Sequence, residues 1–185
     1  MEYIEQIDQQ LLIWLNNAGF EALDPTMVFL TYRFTWIPFY AVLLFFLLRK
    51  KSLKEAVLMV VTIALLVIVT DQVSNLLKFG VERYRPCHNL EIQSLLRLPD
   101  GCGGQFGFWS AHASNSFAIA VFTGLALSRK WLVGLVIWAT VVAYTRIYLG
   151  VHYPLDILAG GVAGMIFGVL FFQLYSAVNH TVSTK

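Results

Sequence analysis

A small set of residues in this chain could carry out chemistry on a phosphate group. Lys78 and Arg85 follow a long apolar run, and Ser110 and His112 begin another. Arg146 closes a third run, and His152 and Asp156 open a fourth. Ionisable groups at such places are costly, so each calls for a functional reason. A phosphate dianion needs several fixed donors around its oxygens, and Lys78, Arg85 and Arg146 offer them. Ser110 stands where a helix begins, and the free backbone N–H groups there favour an anion. Two histidines can divide the work of nucleophile and acid. Asp156 lies four residues after His152. A helix starting near Pro154, a good first-turn residue, lets this carboxylate reach back to the imidazole, fix its tautomer and stabilise the cationic ring. Arg83 reads better as a headgroup anchor. A zinc site from His112, His152 and Asp156 is chemically possible, but the surrounding cations disfavour it.

The elements that must position these groups are membrane helices. Of the 185 residues, 58% are hydrophobic and 13% charged, against roughly 45–50% apolar in an ordinary soluble domain. The apolar residues cluster into five runs, at about 27–48, 56–77, 110–128, 131–149 and 154–179. A bilayer core needs about 20 apolar residues in a helix. Residues 1–22 differ. Ile4, Ile7, Leu11, Leu12 and Leu15 recur at helical spacing with polar residues between them, which predicts an amphipathic helix lying in the interface. The expected fold is therefore an all-α membrane protein. It has a five-span transmembrane bundle over residues 23–180, an N-terminal amphipathic interfacial helix, and a short tail at 181–185. The start carries Glu2, Glu5 and Asp8 without Lys or Arg, so no secretory signal is expected. Arg49, Lys50, Lys51 and Lys54 lie in one short loop and Arg129 and Lys130 in another, which places both loops and the C-terminus in the cytoplasm. The N-terminus, the loop 78–109 and the turn 150–153 then share the outer side, where all the chemical residues fall. The formal charge of +2, with no basic stripe, excludes a nucleic-acid partner.

The outer loop holds the two cysteines, Cys87 and Cys102. On an oxidising face they read first as a disulfide, worth about 3 kcal/mol in the chain-entropy model. A metal site with His88 and a pair of free thiols are the rival readings.

The spacings resemble the type 2 phosphatidic acid phosphatase family. Lys78, six residues and Arg85-Pro86 match its first motif. Trp109-Ser110-Ala111-His112 is similar to the second, usually Pro-Ser-Gly-His. Thr145-Arg146, five residues, His152, three residues and Asp156 is similar to the third, where Ser usually stands for Thr145. The resemblance implies that His152 is the nucleophile forming a phosphohistidine. His112 is then the acid for the leaving group and afterwards the base for water, and Asp156 orients His152. Lys78, Arg85, Ser110, Arg146 and the backbone amides near Ala111 bind the phosphoryl group, without metal or cofactor. Of the three departures, Ala111 for Gly matters most. An alanine at positive φ would be strained, so this position is expected to need only its amide.

The resemblance further implies a phosphorylated lipid as substrate, handled at the outer face of a bacterial cytoplasmic membrane. Undecaprenyl diphosphate stands first, followed by lipid A and phosphatidylglycerophosphate. A phosphotransferase, and a lipid-binding or transport protein without catalysis, are the alternatives; a vanadate peroxidase shares the constellation but not the membrane spans. Asp71 and Lys78 lie two helical turns apart on one face. Asp71 either supports the site, by holding an arginine, or joins helices. Gly160, Gly164 and Gly168 read as a close-packing stripe. The aromatic residues Phe34, Trp36, Phe39 and Tyr40 read as lipid-facing rather than as lining a cleft.

Overall fold

In a computed structural model, which describes residues 2–183, the chain is an assembly of seven α-helices. They are α1 (Glu2–Asn17), α2 (Asp24–Thr31), α3 (Ile37–Leu48), α4 (Leu53–Val81), α5 (Ala111–Leu127), α6 (Arg129–Tyr148) and α7 (Pro154–Ser183). Of the expected tail 181–185, residues 184 and 185 lie outside the described residues, and α7 runs on to Ser183.

The packing is that of a chain whose outside is apolar. Val57, Val61, Leu65 and Ile68 of α4, Ile137 of α6, and Leu158, Ile166, Leu170 and Leu174 of α7 are all exposed. Thr62, Thr70, Ser74, Ser114, Ser116 and Thr123 are buried. Lipid offers apolar side chains no reason to hide, so small and hydroxyl-bearing residues take the helix contacts. Three of these hydroxyls are satisfied within their own helices: Thr62 donates to the Leu58 carbonyl at 2.7 Å, Thr70 to that of Leu66 at 2.9 Å and Ser116 to that of His112 at 2.7 Å. The best-buried helix is α5, held between α4, α6 and α7. A side chain at Gly164 would collide with the Ser114 carbonyl, and one at Gly160 would come within 2.6 Å of the Ser110 carbonyl. The small-residue stripe thus lets α7 lie directly on the backbone of α5.

Three helices, α4, α6 and α7, are long and apolar enough to cross a membrane. The first expected span is broken. α2 and α3, with the short turns that lead into them, pass the same test only as a pair bent by 67°. Pro38 sits in the first turn of α3, where its missing N–H costs nothing. The carbonyls freed at the break are taken up locally: Thr35 donates to Phe29 O at 2.7 Å and the Trp36 indole to Leu30 O at 2.8 Å. Trp36, Phe39 and Tyr40 pack around Trp138 of α6, and Phe34 stays exposed. With 17 residues, α5 is apolar but short.

At one end of the bundle, α1 and the loop 82–110 form a cap. Fully buried Asn16 fastens it. Its amide donates to the carbonyls of Tyr148 (2.7 Å) and Arg97 (3.0 Å), and its oxygen accepts the Arg97 N–H at 2.8 Å. Arg97 forks onto Asp24 at 2.8 Å, and the Tyr148 hydroxyl donates to the same carboxylate at 2.6 Å. Cys87 and Cys102 are bonded to each other and close the loop, with Cα atoms 5.8 Å apart.

Candidate active site

Four helix ends meet beneath this cap: the C-termini of α4 and α6 and the N-termini of α5 and α7. α4 starts on a capping box, in which Ser52 and Glu55 satisfy each other's backbone N–H groups. It runs to Val81 and stops at Glu82 in a left-handed conformation (φ 53°). That reversal turns residues 83–85 back over the bundle. They pair with 105–107: Arg85 N–H donates to Gln105 O at 2.9 Å and Gly107 N–H to Arg83 O at 2.8 Å. The Arg85 side chain is aimed by its Nε–H, which donates to the Phe106 carbonyl at 3.2 Å.

Ser110 caps α5, its hydroxyl accepting from Ala113 N–H, and its own N–H donates to the Asp156 carbonyl at 3.1 Å. Ala111 is the first residue of α5, in ordinary helical conformation. Glu82 is the one described non-glycine residue with positive φ, so the alanine departure carries no strain. The N–H groups of Ala111 and His112 fall in the first turn, where a helix has no internal partner for them. Ser74 of α4 donates to the Trp109 carbonyl at 3.2 Å, tying this corner to α4.

The last turn of α6 carries Arg146, whose Nη1 donates to the Thr31 hydroxyl at the break after α2. The chain then crosses Gly150 (φ 68°) and delivers His152 just before α7. His152 is 2% exposed and Asp156 fully buried. His152 Nδ1 faces Asp156 Oδ2 at 3.4 Å, and the same oxygen accepts the Tyr153 N–H at 3.0 Å. The carboxylate reaches back over the first turn of a helix that begins at Pro154. Burial pushes the His152 imidazole down to about 4; Asp156 opposes the shift, and Arg146 and Arg85 add to it. The charges of Arg85 and Arg146 also act on Lys78 and His112, and His112 and His152 act on each other. Lys78, Arg85, His112, Arg146, His152 and Asp156 are therefore one cluster, with Ser110 and Ala111 at its edge.

Asp71 holds no arginine. It accepts from the Asn75 amide at 3.4 Å, and Asn75 O in turn accepts from Lys78 Nζ at 3.4 Å, a chain along one face of α4. The sulfurs of Cys87 and Cys102 lie beside His88, but their mutual bond removes the thiolates a metal would need. The His88 ring instead meets the Gly103 carbonyl at 3.0 Å.

Four residues were not among the expected site. Thr31 holds Arg146. Gly107 backs the site so closely that a side chain there would lie 3.2 Å from Asp156 Oδ2 and 3.5 Å from His152 Nδ1. Arg83 is no headgroup anchor: it bridges Asp156 and Asp8, each at 2.7 Å. The glycine-rich run 101–107 carried a signal for Gly107; Thr31, Arg83 and Asp8 carried none.

Residues 55–180 match the PAP2 superfamily. The chain is 39% identical to a lipid A 4'-phosphatase of Bacteroides thetaiotaomicron, over 93% of this chain and 78% of that protein. It is 32% identical to an undecaprenyl-diphosphatase of Sulfolobus acidocaldarius, over 90% of this chain and 78% of that one. Its fold matches a transmembrane PAP2-type phosphatidylglycerolphosphate phosphatase from Bacillus subtilis with a TM-score of 0.71, at 19% identity, over 98% of this chain and 89% of that one. A cluster of cations at the ends of apolar helices, a buried histidine–aspartate pair and these matches agree: the chain belongs to the PAP2 superfamily and is a multi-pass membrane phosphatase.

Proposed function

We propose that the protein removes a phosphate monoester from a lipid A-type glycolipid through a phosphohistidine at His152. The observation that carries the chemistry is the orientation of the ring. Nδ1 is turned to Asp156, which leaves Nε2 as the free, unprotonated nitrogen of a neutral imidazole. Nε2 attacks phosphorus, and the bond to the lipid oxygen breaks as His112 gives that oxygen a proton. The imidazolium character that develops on His152 tightens its contact with Asp156. Lys78, Arg85, Arg146, the Ser110 hydroxyl and the α5 first-turn amides hold the three phosphoryl oxygens. His112, now a base, takes a proton from water, which attacks phosphorus and releases inorganic phosphate and neutral His152.

The substrate follows the relatives rather than the motifs, which touch only phosphate. The identity to the lipid A 4'-phosphatase exceeds that to the undecaprenyl-diphosphatase, so the order expected from sequence is reversed: lipid A first, undecaprenyl diphosphate second. In this reading five segments cross the cytoplasmic membrane, the bent α2–α3 pair and α5 among them. α1 lies in the outer interface, the N-terminus and site face outward and the C-terminus is cytoplasmic. Phosphate release from lipid A, undecaprenyl diphosphate and phosphatidylglycerophosphate, each in detergent, decides the substrate. Fastest kcat/KM on lipid A supports the proposal, and fastest release from undecaprenyl diphosphate overturns its substrate. Lipid dephosphorylated without free phosphate appearing would replace the hydrolase with a phosphotransferase.

A further inference from the structure

Arg83 and Asp8 belong to none of the motif positions, yet they complete the surroundings of Asp156. One Asp156 oxygen, Oδ2, serves Tyr153 N–H and His152 Nδ1; the other, Oδ1, accepts from Arg83 Nη1 at 2.7 Å. Arg83 Nη2 donates to Asp8 Oδ2 at 2.7 Å, and its guanidinium lies over the Tyr153 ring, 4.0 Å from the centroid. Asp8 Oδ1 accepts the Leu155 N–H at 2.9 Å. The amides of Tyr153, just before α7, and of Leu155, in its first turn, are thus met by two carboxylates, Asp156 from within the helix and Asp8 from α1. Asp8 is 3% exposed and shares the buried face of α1 with Leu12 and Asn16. A buried carboxylate is retained only with partners of this kind. Burial acts to raise the Asp8 carboxyl and Arg83 opposes it. Burial acts to lower the Arg83 guanidinium, but the Asp156 and Asp8 carboxylates outweigh it and hold it above its usual value.

We propose that Arg83 is a positioning residue for the reaction: clamped between Asp8 of α1 and Asp156 of α7, it fixes the carboxylate that orients His152 and makes the seating of α1 a condition for turnover. The inference rests on the reading of His152 as nucleophile. A fork is the right tool, because one planar guanidinium reaches two carboxylates in fixed geometry where an ammonium cannot. It also balances charge. His152 faces Asp156 on α7, Arg146 on α6, His112 on α5 and Arg85 of the outer loop, and Asp156 faces Arg83, Asp8 and Tyr153 besides. With Arg83 in place the Asp156 charge is partly spent on the guanidinium, which keeps the His152 ring neutral and nucleophilic.

The test measures kcat, KM and the acid limb of kcat/KM for Arg83→Gln, Arg83→Lys and Asp8→Asn beside His152→Ala. Lipid A, undecaprenyl diphosphate and phosphatidylglycerophosphate each serve as substrate, and folding is followed by size-exclusion elution and thermal unfolding. In Arg83→Gln, kcat falls about 10- to 100-fold with KM within about twofold, and the acid limb rises by about one pH unit as His152 meets an unshared carboxylate. Arg83→Lys recovers the limb but not kcat, and Asp8→Asn falls between. In Arg83→Gln, unchanged kcat and limb, or kcat lost with the limb unmoved as for a merely structural clamp, overturns the proposal. If Arg83→Gln does not elute as folded protein, the isosteric Asp8→Asn decides: kcat lowered with a raised limb supports the proposal, and an unmoved limb overturns it. An active His152→Ala would instead overturn the reading beneath it.

Discussion

At the scale of the residue, the protonation of His152 makes the most direct prediction. Its folded pKa of about 4 lies below its ordinary 6.5, so the ring is neutral at physiological pH. Between these values the unfolded chain binds the proton and the native one does not. This group's contribution to stability is therefore present above pH 6.5 and lost as pH falls toward 4. kcat/KM, which reports the free enzyme, should hold through pH 5 and decline toward pH 4; a half-maximum near 6.5 in a pH–rate profile would show that the ring is not shielded. Asp156→Asn should cost on the order of 10²- to 10⁴-fold in kcat, because the amide favours the wrong tautomer. Asp71→Asn should raise KM a few-fold at unchanged kcat, since it loosens Lys78 through Asn75. The motif residues were legible because fixed spacing delivers them to adjacent helix ends. Arg83 and Asp8 were not, because their bond joins positions 75 residues apart. No local pattern records such a contact, and a lone arginine after a span looks like any headgroup anchor.

At the scale of the element, α4, α6 and α7 fall close to the apolar runs that announced them, since a long uninterrupted run has one economical structure in lipid. The first run was harder. Its hydropathy is continuous, while the break depends on Pro38 and on Thr35 and Trp36 capping freed carbonyls. The proline was visible; the caps needed the fold. The glycine stripe read correctly as packing, and Gly164→Val should lower the unfolding temperature sharply or prevent folding, because its side chain meets backbone that cannot yield. Asn16→Ala should destabilise the cap by about 2–3 kcal/mol by stranding backbone groups of Arg97 and Tyr148, seen as earlier thermal unfolding.

At the scale of the whole molecule, the bundle carries its candidate site at one end, beneath a cap held by α1, the Arg97–Asp24 pair and one disulfide. Cys87→Ser should cost about 3 kcal/mol of stability by freeing the loop. The proposed orientation rests on the basic loops and is tested by labelling: Gln10→Cys should react with a membrane-impermeant maleimide from outside intact cells and Ser128→Cys should not, and the reverse pattern would invert the topology. The central claim is that phosphate passes through His152. The most direct measurement is acid-labile, alkali-stable label on the protein after rapid mixing with radiolabelled lipid A phosphate, located by peptide mapping. The label should appear on His152 within one turnover and be absent from His152→Ala. Turnover without it, or label on another residue, would contradict the mechanism.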